Sequence, residues 1–160
     1  MTLVGVCALA CPSAPAIAAP NASQMQIGAQ VDGRCSVSAT DMAFGVLDTK
    51  NVSRVDATAT VSVSCAGLLT FFRVTMDWGQ NASGEQRRIR NAGNDYLPYE
   101  VYRNANRTQR WGQRTNEARS GIILLGIGSN DFEAYGRLTG ISPSTPKGRY
   151  TDQIKVTIAF

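Results

Sequence analysis

The closing segment, Asp152-Gln153-Ile154-Lys155-Val156-Thr157-Ile158-Ala159-Phe160, alternates between apolar and polar residues. Ile154, Val156, Ile158 and Phe160 fall on one face, and Gln153, Lys155 and Thr157 on the other, which is the period of a half-buried strand. Such a strand needs hydrogen-bonding neighbours along its edges and cover for its apolar face. No turn, polar tail or further strand follows it in the sequence. Its neighbours therefore come either from its own domain or from another molecule.

The same period runs through most of the chain. Met25, Ile27, Ala29 and Val31 alternate with Gln24, Gln26, Gly28 and Gln30, and the parity continues through Cys35, Val37 and Ala39. Val55, Ala57, Ala59, Val61, Val63 and Cys65 face one way; Asp56, Thr58, Thr60, Ser62 and Ser64 face the other. Phe72, Val74, Met76 and Trp78 form a third run, closed by the turn signal Trp78-Gly79-Gln80-Asn81. Leu97 to Tyr102 is a shorter strand, and Pro98 marks it as an edge or a strand start. Ile122 to Ile127 is a continuous apolar run that fits a buried strand, and Phe132, Ala134 and Leu138 alternate with Glu133, Tyr135 and Arg137. Ser142-Pro143-Ser144-Thr145-Pro146-Lys147-Gly148 is a loop. No segment sustains a 3.6-residue period with caps. Some seven short strands with Gly, Pro and Asn turns predict an all-β sandwich.

Residues 1–20 carry no charged side chain, and Ala16-Ile17-Ala18 is a small-x-small cleavage signal. This reads as a secretory signal peptide over residues 1–19, although a basic leading segment is missing, which suggests a true start elsewhere. Ala8-Leu9-Ala10-Cys11 only faintly resembles a lipoprotein box, since its Leu is one place off, and lipidation is not the reading taken; a buried helix is disfavoured by Pro12, Pro15 and Pro20. Beyond residue 20 no apolar run reaches the ~18 residues of a membrane-spanning helix. Removing the leader leaves Cys35 and Cys65, which in an oxidising compartment read as one disulfide; two buried free thiols are the alternative.

Histidine is absent, which removes Ser-His-Asp and Cys-His catalysis and the commonest metal ligand. The acids are scattered, no CxxC or calcium-loop pattern occurs, and Gly126-Ile127-Gly128 lacks the setting of a phosphate loop. No catalytic residue, metal site or cofactor is expected, and the chain is not read as an enzyme. Residues 87–119 hold eight of the thirteen arginines and three acids, Asp95, Glu100 and Glu117. Interleaved with Tyr96, Tyr99, Tyr102 and Trp111, that segment could bind nucleic acid or another polyanion. The export signal argues against nucleic acid; a solvated face, or pairing with acidic neighbours, is the simpler reading. Four Asn-x-Ser/Thr sequons, at Asn21, Asn51, Asn81 and Asn106, are too short a pattern to carry an argument.

Cys35-Ser36-Val37-Ser38-Ala39, Phe44-Gly45 and Val61-Ser62-Val63-Ser64-Cys65 resemble the start of a spore coat protein U (SCPU) domain. So do Arg88-Ile89-Arg90-Asn91, Leu97-Pro98-Tyr99-Glu100-Val101-Tyr102 and Trp111-Gly112. Tyr135-Gly136-Arg137-Leu138 and Gly148-Arg149-Tyr150-Thr151-Asp152 then lead into the closing strand. The resemblance spans residues 31–160. One departure is Gln113, where an aspartate often follows the Trp-Gly pair.

This resemblance implies an immunoglobulin-like sandwich, incomplete for want of its last strand and completed by donor-strand exchange, as in subunits of archaic chaperone–usher pili. Residues 20–32 would be the N-terminal extension and donor strand, and residues 33–160 the sandwich. Met25, Ile27, Ala29 and Val31 would be the donor teeth, and Ile154, Val156, Ile158 and Phe160 the groove and chaperone-contact strand. Implied partners are a periplasmic chaperone, an outer-membrane usher and other pilin subunits. The implied place is the periplasm and then the cell surface, and the implied outcome is adhesion or biofilm formation. Two alternatives stay open: a self-contained secreted spore-coat or matrix protein, and a surface-binding module. Residues 23–31 could equally begin the chain's own first strand, paired in cis.

Overall fold

A computed structural model of the chain describes residues 23–29, 35–66, 69–124 and 127–160. The expected leader and Val31 lie outside the described residues. Among the described residues, ten strands run in chain order: β1 Ser23–Ala29, β2 Cys35–Ala39, β3 Met42–Gly45, β4 Val55–Ala66, β5 Thr70–Met76, β6 Arg87–Arg90, β7 Tyr96–Tyr102, β8 Arg119–Ile123, β9 Ile127–Leu138 and β10 Thr151–Ala159. The ladder runs β2-β4-β9-β7-β6-β10-β1-β3, with β5 and then β8 added beside β10.

The ladder turns over at β6, which pairs fully with β7 but meets β10 only at Thr151↔Arg90. That turn stacks β2, β4, β9 and β7 against β5, β10, β1 and β3. Rings cross the gap: Phe72 of β5 stands edge-on to Phe132 of β9 at 6.0 Å, and Phe44 of β3 to Tyr99 of β7 at 6.2 Å. Inward residues of both layers form one apolar core that includes Val37, Val61, Val63, Val74, Met76, Leu138, Ile154 and Val156. This is the expected immunoglobulin-like sandwich.

Alternation placed the long strands correctly. On β4, Ala59, Val61, Val63 and Cys65 are buried. On β10, Asp152, Ile154, Val156 and Ile158 are buried while their neighbours are exposed. Three expectations fail in whole or in part. The run Ile122–Ile127 is not one buried strand: β8 ends at Ile123 and β9 begins at Ile127. Ile123 is buried, while Ile122 and Leu124 are exposed. An unbroken apolar run carries no phase, so it hid a change of strand. Trp78 lies beyond the end of β5.

Pro98, third, does not mark an edge, because β7 is flanked by β6 and β9; the other alternative holds, since Pro98 lies near the start of β7. The β7–β9 ladder begins one residue later, at Tyr99↔Leu138, and the Pro98 carbonyl accepts from Thr139 N at 3.0 Å. The missing N–H therefore faces the space just past the end of that ladder.

Trp111 plugs the core from a loop. It is fully buried, its Nε1 donates to the Val74 carbonyl at 3.0 Å, and its backbone N donates to the Val101 carbonyl at 2.8 Å. Cys35 and Cys65 form a disulfide between paired positions of β2 and β4, closing a loop with a sequence separation of 30. In the chain-entropy model such a loop stabilises by about 3–4 kcal/mol. Cys35→Ser/Cys65→Ser is thus expected to lower the unfolding free energy read from urea denaturation by that amount; a change under about 1 kcal/mol would contradict it.

Candidate assembly groove

One edge of β10 is saturated by the chain's central segments. Val156 to Ala159 pair with β5. Asp77 N donates to the Lys155 carbonyl and Gln80 N to the Gln153 carbonyl, both at 3.0 Å. The Asp77 carboxylate accepts from Lys155 N and from Gly79 N, each at 2.9 Å.

The other edge pairs with β1 alone among the described residues, and β1 pairs in turn with β3. β10 and β3 do not pair with each other, so β1 fills a slot one strand wide. It runs parallel to β10, in the register Gln24↔Thr151, Met25↔Asp152, Ile27↔Ile154 and Ala29↔Val156. Met25, Ile27 and Ala29 thus share rows with the inward residues Asp152, Ile154 and Val156.

Ile154, Val156 and Ile158 are buried on the inner face. Phe160 stands apart. It follows the end of β10, is 53 % exposed, and borders a shallow depression of about 430 Å³ with Phe71, Phe72 and Gly121.

Two buried polar clusters hold the strands that frame the slot; alternation alone did not mark them as polar contacts. Asp152 is buried and accepts from the Tyr99 hydroxyl at 2.7 Å, from Asn81 N at 3.0 Å and from Asn81 Nδ2 at 2.9 Å. It ties the 79–81 turn to β10. Gly79 belongs to this contact: its φ is +83°, and a Cβ there would lie 2.0 Å from Asp152 Oδ2.

The second cluster centres on Arg87, which is 0 % exposed. Its guanidinium pairs with Glu100 and donates to the carbonyls of Asp77 at 2.6 Å and Trp111 at 2.8 Å. Glu100 is shared with Arg110 Nε at 2.7 Å, and Trp78 lies 5.2 Å from both guanidinium groups. A signal for the second cluster lay in the sequence without being read. Arg87 shares the buried parity of Ile89, and Glu100 sits inside an apolar strand.

These contacts also account for the arginine-rich segment. Arg87, Arg110 and Arg114 alternate with Glu100, Glu85 and Glu117, and Arg107 pairs with Asp56 at 3.5 Å. Tyr99 and Trp111 lie in the core. The aromatic–arginine spacing therefore describes internal packing more than an open binding face.

Burial raises the Asp152 carboxyl above its ordinary value, against the hydrogen bonds from Tyr99 and Asn81, which lower it. The Tyr99 hydroxyl is pushed well up, first by burial and then by the neighbouring Asp152 charge. An acid whose folded pKa is raised contributes stability that is present below its unfolded pKa and lost as pH rises through the folded value. Asp152 is thus expected to add stability as pH falls from about 7 to about 4, and Asp152→Asn to lack that increment. Urea midpoints across this range, compared between the two proteins, check it; equal pH slopes would refute it. Asp56, held low chiefly by its hydrogen bond to Arg137, acts in the opposite direction and is common to both.

A family model for the Spore Coat Protein U domain matches residues 21–157. No curated protein matches the chain. Among solved structures it is similar to a chain in the CsuC–CsuE chaperone–tip adhesion subunit pre-assembly complex from the archaic chaperone-usher Csu pili of Acinetobacter baumannii. The match has a TM-score of 0.51 at 22% identity, covering 79% of this chain and 39% of that one. At that identity the likeness speaks to the fold, and this chain spans well under half of the other. With the matched segment running through nine strands and most of the tenth, the chain belongs to the Spore Coat Protein U domain family.

Proposed function

We propose that this chain is an exported structural subunit of a chaperone–usher type pilus and polymerises by donor-strand complementation. Residues 23–31 are the donor strand, and the slot between β10 and β3 is the acceptor. A periplasmic chaperone holds the subunit, an outer-membrane usher passes it outward, and fibres at the cell surface support adhesion or biofilm formation.

The observation that carries this reading is the slot: a place one strand wide, lined by Ile154, Val156 and Ile158, filled by a segment at the chain's edge rather than by a central strand. Strand addition of this kind draws affinity from main-chain hydrogen bonds and specificity from alternate side-chain positions. The family match and the likeness to a subunit of the Csu pre-assembly complex support it. No catalytic role is proposed; among the described residues there is no cluster of metal-ligating side chains, and no helix is long and apolar enough to cross a membrane.

One observation favours a second reading. The strand in the slot is the chain's own, as a self-contained secreted coat or matrix protein would require. Expression with and without a cognate chaperone and usher separates the two. Surface fibres that contain this chain and depend on the usher are expected. A secreted monomer, indifferent to both partners, would establish the alternative.

A further inference from the structure

The direction of β1 is set by a short connection. Five residues, 30–34, join Ala29 to Cys35. Cys35 pairs with Cys65, next to the last residue of β4, five residues before β5 begins at Thr70. β5 runs antiparallel to β10, with Arg73 opposite Ala159. Cys35 therefore lies at the end of the sandwich where β10 finishes.

In the parallel register Ala29 stands opposite Val156, close to that same end. Reversing β1 over the same stretch would carry Ala29 to Thr151, five residues back along β10 or about 17 Å. Six Cα steps span at most about 21 Å, and the path must also cross about 10 Å between layers. No chain would remain to round the edge of the sheet. Within one molecule the slot accepts residues 23–29 in the parallel direction only; a strand from a second copy is not bound by this connection.

We propose that the chain caps its own assembly slot: in the subunit free of chaperone, β1 lies in cis, parallel to β10, and must be withdrawn before a strand from the chaperone or from another copy can enter. This deepens the donor-strand reading above and rests on it for the exchange step alone. The cap closes both open edges, β10 and β3, which would otherwise template pairing with other chains. It also makes the subunit a poor polymer former by itself, since the donor segment of each copy is engaged at home.

Paired cysteines test the cap. Gln24→Cys/Thr151→Cys places two thiols at register partners, whereas Gln24→Cys/Lys155→Cys separates them by four residues along β10. In exported, monomeric protein the first pair is expected to close within one chain, leaving no thiol reactive after unfolding. The second is expected to keep both. The oxidised first variant should not assemble, and mild reduction should restore assembly, since the buried Cys35–Cys65 bond is shielded from the reductant.

Two free thiols in the folded first variant, or a bond formed only between chains, would overturn the cap. Should that variant not fold, Gly28→Cys/Lys155→Cys probes the same register at the other end, with the same outcomes. If the wild-type chain forms no fibres under any condition while the intrachain bond closes, the pilus reading fails and the cap stands. If fibres form while no intrachain bond closes, the reverse holds.

Discussion

Deletion of residues 22–31 is expected to abolish fibre formation while leaving export intact. The deletion removes β1, and with it the ladder from Gln24↔Thr151 to Ala29↔Val156 on one side and the pairing with Met42 to Gly45 on the other. The remaining strands keep their disulfide, the Arg87–Glu100 cluster and the β5 side of β10, so the subunit still has a core. What it loses is the segment that closes a slot, in itself or in a neighbour. With a cognate chaperone present, the expected product is a soluble subunit–chaperone complex and no surface fibre by electron microscopy. Without a chaperone, the bare edges of β10 and β3 are expected to drive aggregation. Fibres of normal length from the deleted chain would end the donor-strand reading outright.

Glu100→Gln is expected to cost about 3–5 kcal/mol of folding stability, because it strands a buried cation. Arg87 is fully buried and has no other acidic partner among the described residues; its remaining polar contacts are the carbonyls of Met76, Asp77 and Trp111, with the Trp78 ring 5.2 Å away. A glutamine can still accept one hydrogen bond but no longer balances the charge. Arg110 loses the same partner. Urea denaturation reads the effect as a fall in midpoint with little change in slope. The double variant Arg87→Met/Glu100→Leu is expected to recover part of the loss, since it removes charge and countercharge together. A single substitution costing less than about 1 kcal/mol would mean that water, rather than Glu100, balances Arg87.

The length of each strong strand, and the face it buries, could be read from the residues. Val55 to Cys65 and Ile154 to Ile158 alternate without interruption, so the inward set follows from the two-residue period alone. Where that period breaks, the reading breaks too. Met42–Gly45 and Arg87–Arg90 were not read as strands: the first is only four residues long, and the second buries an arginine where an apolar residue was expected. The run from Ile122 had no phase to read. Pro98 left open an edge or a strand start, because the sequence does not say where a neighbouring ladder stops.

The sequence by itself determined an all-β chain, its inward residues, and two segments of matched alternation, residues 23–31 and 154–160, at the borders of the sandwich. Periodicity is local, and these properties need only local information. Only the tertiary structure decided that the first of these segments lies beside the second, in parallel, between β10 and β3. That outcome depends on which end of the sandwich Cys35 occupies and on how far five residues can reach. It likewise took the folded chain to bring Arg87 to Glu100 and Asp152 to Tyr99 and Asn81. A buried charge is tolerable only when distant parts of the chain deliver its partners, and strand period says nothing about that.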